Sequence, residues 1–417
     1  MNGCPLGIDI PGFIRLLREG DAVAALNRIK DQNVLPGVCG RICLAPCEAA
    51  CVFNNEDASI GIRALERYAA DNGRSRHASK DRSGVIKNGK KIAVIGSGPS
   101  GLAAAAQLAK KGYAVTIFEA LPKAGGILRY GVPEFRLPSR VLDSEISDIV
   151  ALGITIHTSV FVGQTVTFEE LMNDHHAVFL AIGAGSPPPA TLAGEHLIGV
   201  YYAQELLMRI NLWDAQNYPK SSTPALLGNT VAVIGSGPAA VDCARMIIRL
   251  GKKASVVFPG LEEEIALYAA ERKNAIEEGV RFESLVRPLE ILSTDDHMVK
   301  GVQCVRLDFV ENGAGHWNVK AVPGSEFVLD ADTVIIAEDP IPSDAIKRFL
   351  PDLKWTDQGR LWIDPETGKT SIDRLFAAGD VVTGAGGLVD AMASGKQAAS
   401  AIDHYLSDEG TDQNSKG

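Results

Sequence analysis

Nowhere in its 417 residues does the chain carry an apolar run approaching the roughly 20 residues that a membrane-spanning helix needs. Its first residues also lack the basic stretch and apolar core of a secretory signal. Together these absences make the cytoplasm the expected compartment, with no membrane insertion. Positive charge is in short supply: 41 Lys and Arg stand against 51 Asp and Glu, for a formal net charge of −10. No basic stripe offsets this, so nucleic acid is not an expected partner. Beyond residue 51 cysteine is nearly absent. Cys243 and Cys304 stand alone in segments that read as folded core, and are expected to be buried, inert thiols.

The remaining five cysteines, Cys4, Cys39, Cys43, Cys47 and Cys51, crowd the first 51 residues. In a chain without an export signal such density points to a metal site, not to disulfides. Four thiolates suit zinc as well as an iron–sulfur cluster. Pro46 is a good first-turn residue, so a helix starting there is expected to put Cys47 and Cys51 on one face, with Cys43 in the loop before. Around the cysteines, Ile10–Arg18 and Ala22–Lys30 repeat apolar residues at helical spacing, with Gly20-Asp21 as break and cap. A further short helix is expected from Ile60 to Ala70, and Ser79–Lys91 reads as a polar linker.

From Lys91 the pattern becomes alternating strand and helix. Gly96-Ser97-Gly98-Pro99-Ser100-Gly101 follows a β-branched strand and opens an alanine-rich helix, and Glu119 ends the next strand. Gly96 allows the tight turn, Gly98 lets the backbone approach a pyrophosphate, and Gly101 lets helix pack on strand. The helix N-terminus suits the phosphate charge, and Glu119 the ribose hydroxyls. Downstream, Ala377–Asp380 forms a second glycine–aspartate turn. Gly379 and Asp380 there suit the ribityl chain of a flavin, which tips the first nucleotide to FAD. Gly235-Ser236-Gly237-Pro238-Ala239-Ala240 repeats the design. Its second strand ends at Phe258-Pro259-Gly260, with neither an acid for a 2′-hydroxyl nor an arginine for a 2′-phosphate. Glu262, Glu263 and Glu264 follow, which favours NADH slightly over NADPH. The fold class expected is α/β: two Rossmann-like nucleotide domains, the NAD(P) domain inserted in the FAD domain, behind a small helical domain. The boundaries expected are 1–78 for the helical domain, 90–200 and 338–408 for FAD, and 201–337 for NAD(P). Residues after Asp408 read as a disordered tail.

Several runs in order resemble one family: G-C-P-L-G-I-D-I-P-G-F-I, C-G-R-I-C-L-A-P-C-E-A-A-C, S-I-G-I-R-A-L-E-R-Y-A-A-D, A-G-G-I-L-R-Y-G-V-P-E-F-R-L-P and L-F-A-A-G-D-V-V-T-G. The chain is similar to the small (beta) subunit of bacterial glutamate synthase and to the N-terminal half of dihydropyrimidine dehydrogenase. The glutathione-reductase-like two-dinucleotide fold is what the resemblance implies. It also implies hydride transfer from NAD(P)H to FAD, then single-electron exit through a [4Fe–4S] cluster to a larger partner subunit. By resemblance, Gly125, Gly126 and Leu128 line the flavin and Arg136 lies between flavin and cluster. The family's ligand pattern, carried onto this chain, gives one cluster on Cys4, Cys43, Cys47 and Glu66. Cys39 is a possible substitute and Cys51 the ligand of a second cluster whose other cysteines are absent here. The family's paired arginines after the second NAD-domain strand are replaced by Phe258-Pro259-Gly260, and its A-I-G-type turn by Ala337-Glu338-Asp339-Pro340. A non-catalytic electron-relay subunit with a degenerate NAD site is therefore the competing expectation, and a zinc-stapled flavoprotein a third.

Overall fold

The computed structural model describes residues 3–53, 60–74, 86–221, 224–262, 265, 269–311 and 317–414. Five helices come first. Asp9 and Asp21 accept the N–H groups of Gly12 and Ala24, which starts α1 (Ile10–Arg18) and α2 (Ala22–Lys30). Next, α3 (Pro36–Ile42) and α4 (Pro46–Ala49) each begin at a proline, whose missing N–H costs nothing in a first turn. Last in the group is α5 (Ile62–Asn72), starting two residues later than the expected helix. It lies so close to α3 that a Cβ on Gly40 would stand 2.6 Å from the Cα of Arg67. Of the expected linker, residues 79–85 lie outside the described residues.

The first nucleotide fold follows as β1 (Lys91–Ile95), α6 (Pro99–Lys110), β2 (Ala114–Phe118), α7 (Ile127–Tyr130), α8 (Ser139–Val150), β3 (Thr155–His157), α9 (Phe168–Asp174) and β4 (Ala177–Leu180). The second consists of β5 (Val200–Tyr202), α10 (Ala203–Trp213), β6 (Thr230–Ile234), α11 (Pro238–Arg249), β7 (Lys253–Val257), α12 (Ala269–Glu278) and β8 (Arg281–Glu283). It continues through β9 (Val286–Ser293), β10 (Val299–Glu311), β11 (Trp317–Asp330) and β12 (Thr333–Ile336). The chain then returns through α13 (Ala345–Phe349), β13 (Leu375–Ala377), α14 (Asp380–Thr383) and α15 (Leu388–Asn414). The expected tail after Asp408 is thus helical as far as Asn414. No helix among the described residues is long and apolar enough to cross a membrane.

Two parallel sheets result, ordered β13-β4-β1-β2-β3 and β5-β12-β6-β7-β8, with β9–β11 as a separate antiparallel sheet. In each parallel sheet the order reverses beside the first strand, between β1 and β4 or between β6 and β12. That switch point is where open α/β sheets hold ligands. One compact unit comprises Met1–Arg129, Glu134–Ser186 and Pro340–Gly417; the other comprises Tyr130–Pro133 and Pro187–Asp339. The N-terminal helices therefore pack with the first parallel sheet. Residues 187–199, assigned from sequence to the FAD domain, belong to the second unit because Ala193 bridges Glu290 and Ile198 bridges Met298.

Candidate functional site

β1 leads into Gly96, at φ +102, where a Cβ would stand 2.4 Å from the Ala181 carbonyl oxygen just past β4. Gly101 in the first turn of α6 is closer still, its Cβ falling 2.1 Å from the Gly96 oxygen. Gly98 is different: a Cβ there meets nothing within 4 Å, so the turn faces open space. Pro99 and Ser100 begin α6, and the Ser100 hydroxyl is buried without a hydrogen-bond partner. An orphaned hydroxyl beside first-turn N–H groups fits a bound phosphate.

Three distant segments close around this turn. Glu119, just past β2 and buried, accepts the Ser97 N–H at 3.0 Å and the Ser97 hydroxyl on one oxygen. Its other oxygen accepts the Leu121 N–H at 2.8 Å, which leaves acceptor capacity for a ribose hydroxyl. Ser97 Oγ in turn accepts the Gly125 N–H at 2.9 Å. Gly126, at φ +53, touches the turn itself, since its Cβ would lie 2.7 Å from the Gly98 Cα. Arg129 braces this run by donating to the Ala124 carbonyl at 3.2 Å and pairing with Asp143. Leu128 is buried beside it, and Arg136 is half-buried ahead of α8. From the C-terminal return, Gly379 at φ +80 abuts Ser100 and donates its N–H to Ser394 Oγ at 3.1 Å. Asp380 follows, its carboxyl pushed up to about 6 by burial.

The second turn copies only the first half of this arrangement. Gly235, at φ +138, would place a Cβ 2.4 Å from the Ala337 oxygen at the end of β12. Gly237 again faces open space, and Pro238 and Ala239 open α11. Ala240 is fully buried with its Cβ in place. At the end of β7, where Glu119 stands in the first fold, Phe258 is buried edge-on against Phe282 with ring centroids 6.5 Å apart. The Glu262 carbonyl accepts from Arg272 Nη1 at 3.1 Å; Glu263 and Glu264 lie outside the described residues.

Among the N-terminal helices one cavity is lined by Cys4, Cys39, Cys43, Cys47 and Glu66. Cys39 rides on α3, Cys43 caps that helix, Cys47 lies on α4 and Glu66 on α5. Arg63 staples the loop between them, its guanidinium donating to the Cys43 carbonyl at 2.9 Å. Buried Asn33 donates to Glu66 Oε1 at 2.8 Å, which turns the carboxylate. Glu145 on α8 takes the Gly37 and Val38 N–H groups at 2.6 and 3.1 Å and so anchors the start of α3. Burial, with nearby acids and thiols, pushes Cys43 up to about 11 and Cys47 to about 12, while burial pushes Glu66 to about 8. A pocket that raises Cys39, Cys43, Cys47 and Glu66 together suits a cation, and metal binding ionises its ligands. Among the described residues no three His, Cys, Asp or Glu are grouped as a single metal ion would need. Cys51 does not line the cavity. α4 ends at Ala49, after one turn, so the expected shared face with Cys47 is not formed. Cys243 and Cys304 are buried, as expected.

Ser97, Arg129, Asn33 and Glu145 were not evident from sequence. Ser97 sits inside the fingerprint and was within reach of pattern reading; Arg129 acts locally, on Ala124 and Asp143, while Asn33 and Glu145 act across 33 and 108 residues that spacing does not encode.

The profile of the pyridine nucleotide-disulphide oxidoreductase family matches residues 90–403. That of dihydropyrimidine dehydrogenase domain II, 4Fe-4S cluster, matches residues 1–78. The chain belongs to the pyridine nucleotide-disulphide oxidoreductase family and carries a 4Fe-4S domain at its start; FAD and NAD(P)H are the cofactors that family implies. It is 37% identical over 97% of its length to the NADP(+)-dependent formate dehydrogenase subunit beta of Moorella thermoacetica, and spans 59% of that protein. It is 34% identical over 97% of its length to the glutamate synthase [NADPH] small chain of Escherichia coli (strain K12), and covers 87% of it. Mycobacterium tuberculosis FprA in complex with NADPH shares the fold, with a TM-score of 0.62 and 21% identity over 78% of this chain and 86% of that one.

Proposed function

We propose that the chain is a cytoplasmic electron-entry subunit like the small chain of glutamate synthase. It takes hydride from NAD(P)H onto FAD and passes electrons through one [4Fe–4S] cluster to a larger partner subunit. The observation that carries this is the presence, in one compact unit, of a dinucleotide turn flanked by three distant segments and a cavity lined by four cysteines and a glutamate. When bound, FAD accepts two electrons as hydride and the cluster takes electrons one at a time.

In this reading Gly96, Gly98, Pro99, Ser100 and Gly101 hold the pyrophosphate, and Glu119 the adenosine ribose. Gly125, Gly126, Leu128 and Arg136 border the flavin, with Gly379 and Asp380 at its ribityl chain. Gly235, Gly237, Pro238, Ala239 and Ala240 receive the nicotinamide nucleotide. Cys4, Cys43, Cys47 and Glu66 hold the cluster, with Cys39 as the alternative fourth ligand; Cys51 stands outside. NADH is the preferred donor, because Phe258 fills the strand end and Arg272 is engaged by the Glu262 carbonyl. Iron and acid-labile sulfide per FAD in anaerobically purified protein test the assignment. About four irons fit one cubane cluster, retained in Cys51→Ser and lost in Cys43→Ser; eight irons, or none, contradict it.

A second reading, an electron-relay subunit with a degenerate nicotinamide site, is favoured by one feature only: buried Phe258 where a ribose-binding acid belongs. Failure of both NADH and NADPH to reduce bound flavin would establish it.

A further inference from the structure

One helix walls both sites. Near its start α15 contributes Val389 to the lining of the cysteine cavity. Farther along, Gly395 packs onto the dinucleotide turn, where a Cβ would stand 2.3 Å from the Ser100 carbonyl oxygen. The next residue, Lys396, reaches back toward the N-terminal helices. Its ammonium donates to the Gln32 carbonyl at 3.0 Å, to Gln32 Oε1 at 2.7 Å and to the Leu6 carbonyl at 3.4 Å. Three donors meet three acceptors, so the group is fully used.

Both acceptor residues lie close in sequence to residues that line the cavity. Leu6 follows Cys4 by two positions, and Gln32 precedes Asn33, whose amide holds Glu66. The half-buried cation also lies within the field of Cys4, with Lys110 the other charge acting on it.

We propose that Lys396 is a positioning residue for electron exit, tying the two loops that carry Cys4 and Asn33 to the helix that packs on the dinucleotide turn, and favouring the reduced cluster with its fixed charge. The inference rests on reading the cavity as the [4Fe–4S] site. The step is one electron from reduced flavin to the oxidised cluster, with no bond made or broken in the protein. A cation beside a ligand stabilises the charge that arrives and raises the potential.

The test compares Lys396→Met and Lys396→Arg with the wild-type holoprotein. It reads FAD content, iron and sulfide per FAD, and the cluster's midpoint potential from an EPR-monitored titration. Lys396→Met is expected to keep FAD while its cluster becomes about tenfold harder to reduce, about 59 mV for one electron. Cluster loss from Lys396→Met with retention in Lys396→Arg supports the inference equally. An unchanged potential at wild-type iron content overturns it, as does cluster loss in both variants. Wild-type protein with FAD but no iron overturns the reading of the cavity instead, and the inference with it.

Discussion

The two dinucleotide turns share a backbone and differ in everything built around it. Gly96 and Gly235 each tuck under the carbonyl that follows the neighbouring strand, and Gly98 and Gly237 each leave the turn open. Around the first turn, however, Glu119, Gly125-Gly126 and Gly379-Asp380 close in from three parts of the chain. Around the second, the place of the acid is taken by Phe258. The first design suits a cofactor that stays; the second suits one that binds, delivers and leaves. A glycine fingerprint marks where a nucleotide enters, and the enclosing segments set how long it remains.

Substitutions at matched positions should separate the two. The largest effect is expected from Gly101→Ala, whose methyl has no room beneath the Gly96 carbonyl. About 3 kcal/mol of stability should go, with most bound FAD, read from the denaturant midpoint and the flavin-to-protein ratio. Next, Glu119→Gln removes a charged acceptor of three hydrogen bonds and should cost about 2 kcal/mol and weaken FAD retention. Retention of FAD at wild-type affinity would show that the enclosing acid is dispensable.

Asp380 gives a pH signature with no counterpart in the second turn. Burial raises its folded-state pKa from 3.8 to about 6, so the folded chain binds the proton more readily. Its contribution is therefore most favourable below about pH 4 and is lost as pH rises through 6. In FAD-free protein, Asp380→Asn should gain about 2 kcal/mol at pH 7.5 and nothing at pH 4, measured by urea unfolding. A constant difference across that range would contradict burial as the cause. The smallest effect belongs to Ala240→Gly, about 1 kcal/mol of helix propensity, with nucleotide reduction of the flavin preserved.

What was legible in the sequence follows from how local each feature is. Asp9 and Asp21 cap the helices they precede, so α1 and α2 could be placed to the residue. The glycine turns were readable because each glycine answers a backbone demand within a few residues. Cys51 was misplaced because the length of α4 depends on contacts, not on spacing: Gly3 packs against Cys47 and Ala50. The antiparallel sheet β9–β11 also went unread: β9 buries only Val286 and Ile291, and its pairing with β10 shifts register twice, so no clean period of two shows. Glu145 and Lys396 were invisible for a simpler reason. Their partners, Gly37 and Gln32, lie 108 and 364 residues away.

The proposed electron path runs from nicotinamide through FAD to the cysteine pocket. Its most direct test is anaerobic mixing of the purified holoprotein with NADH, then NADPH, following flavin absorbance and the cluster's EPR signal together. The flavin should bleach, faster with NADH, and a reduced-cluster signal should follow. Flavin that stays oxidised with both nucleotides, or bleaches without any cluster signal, would contradict it.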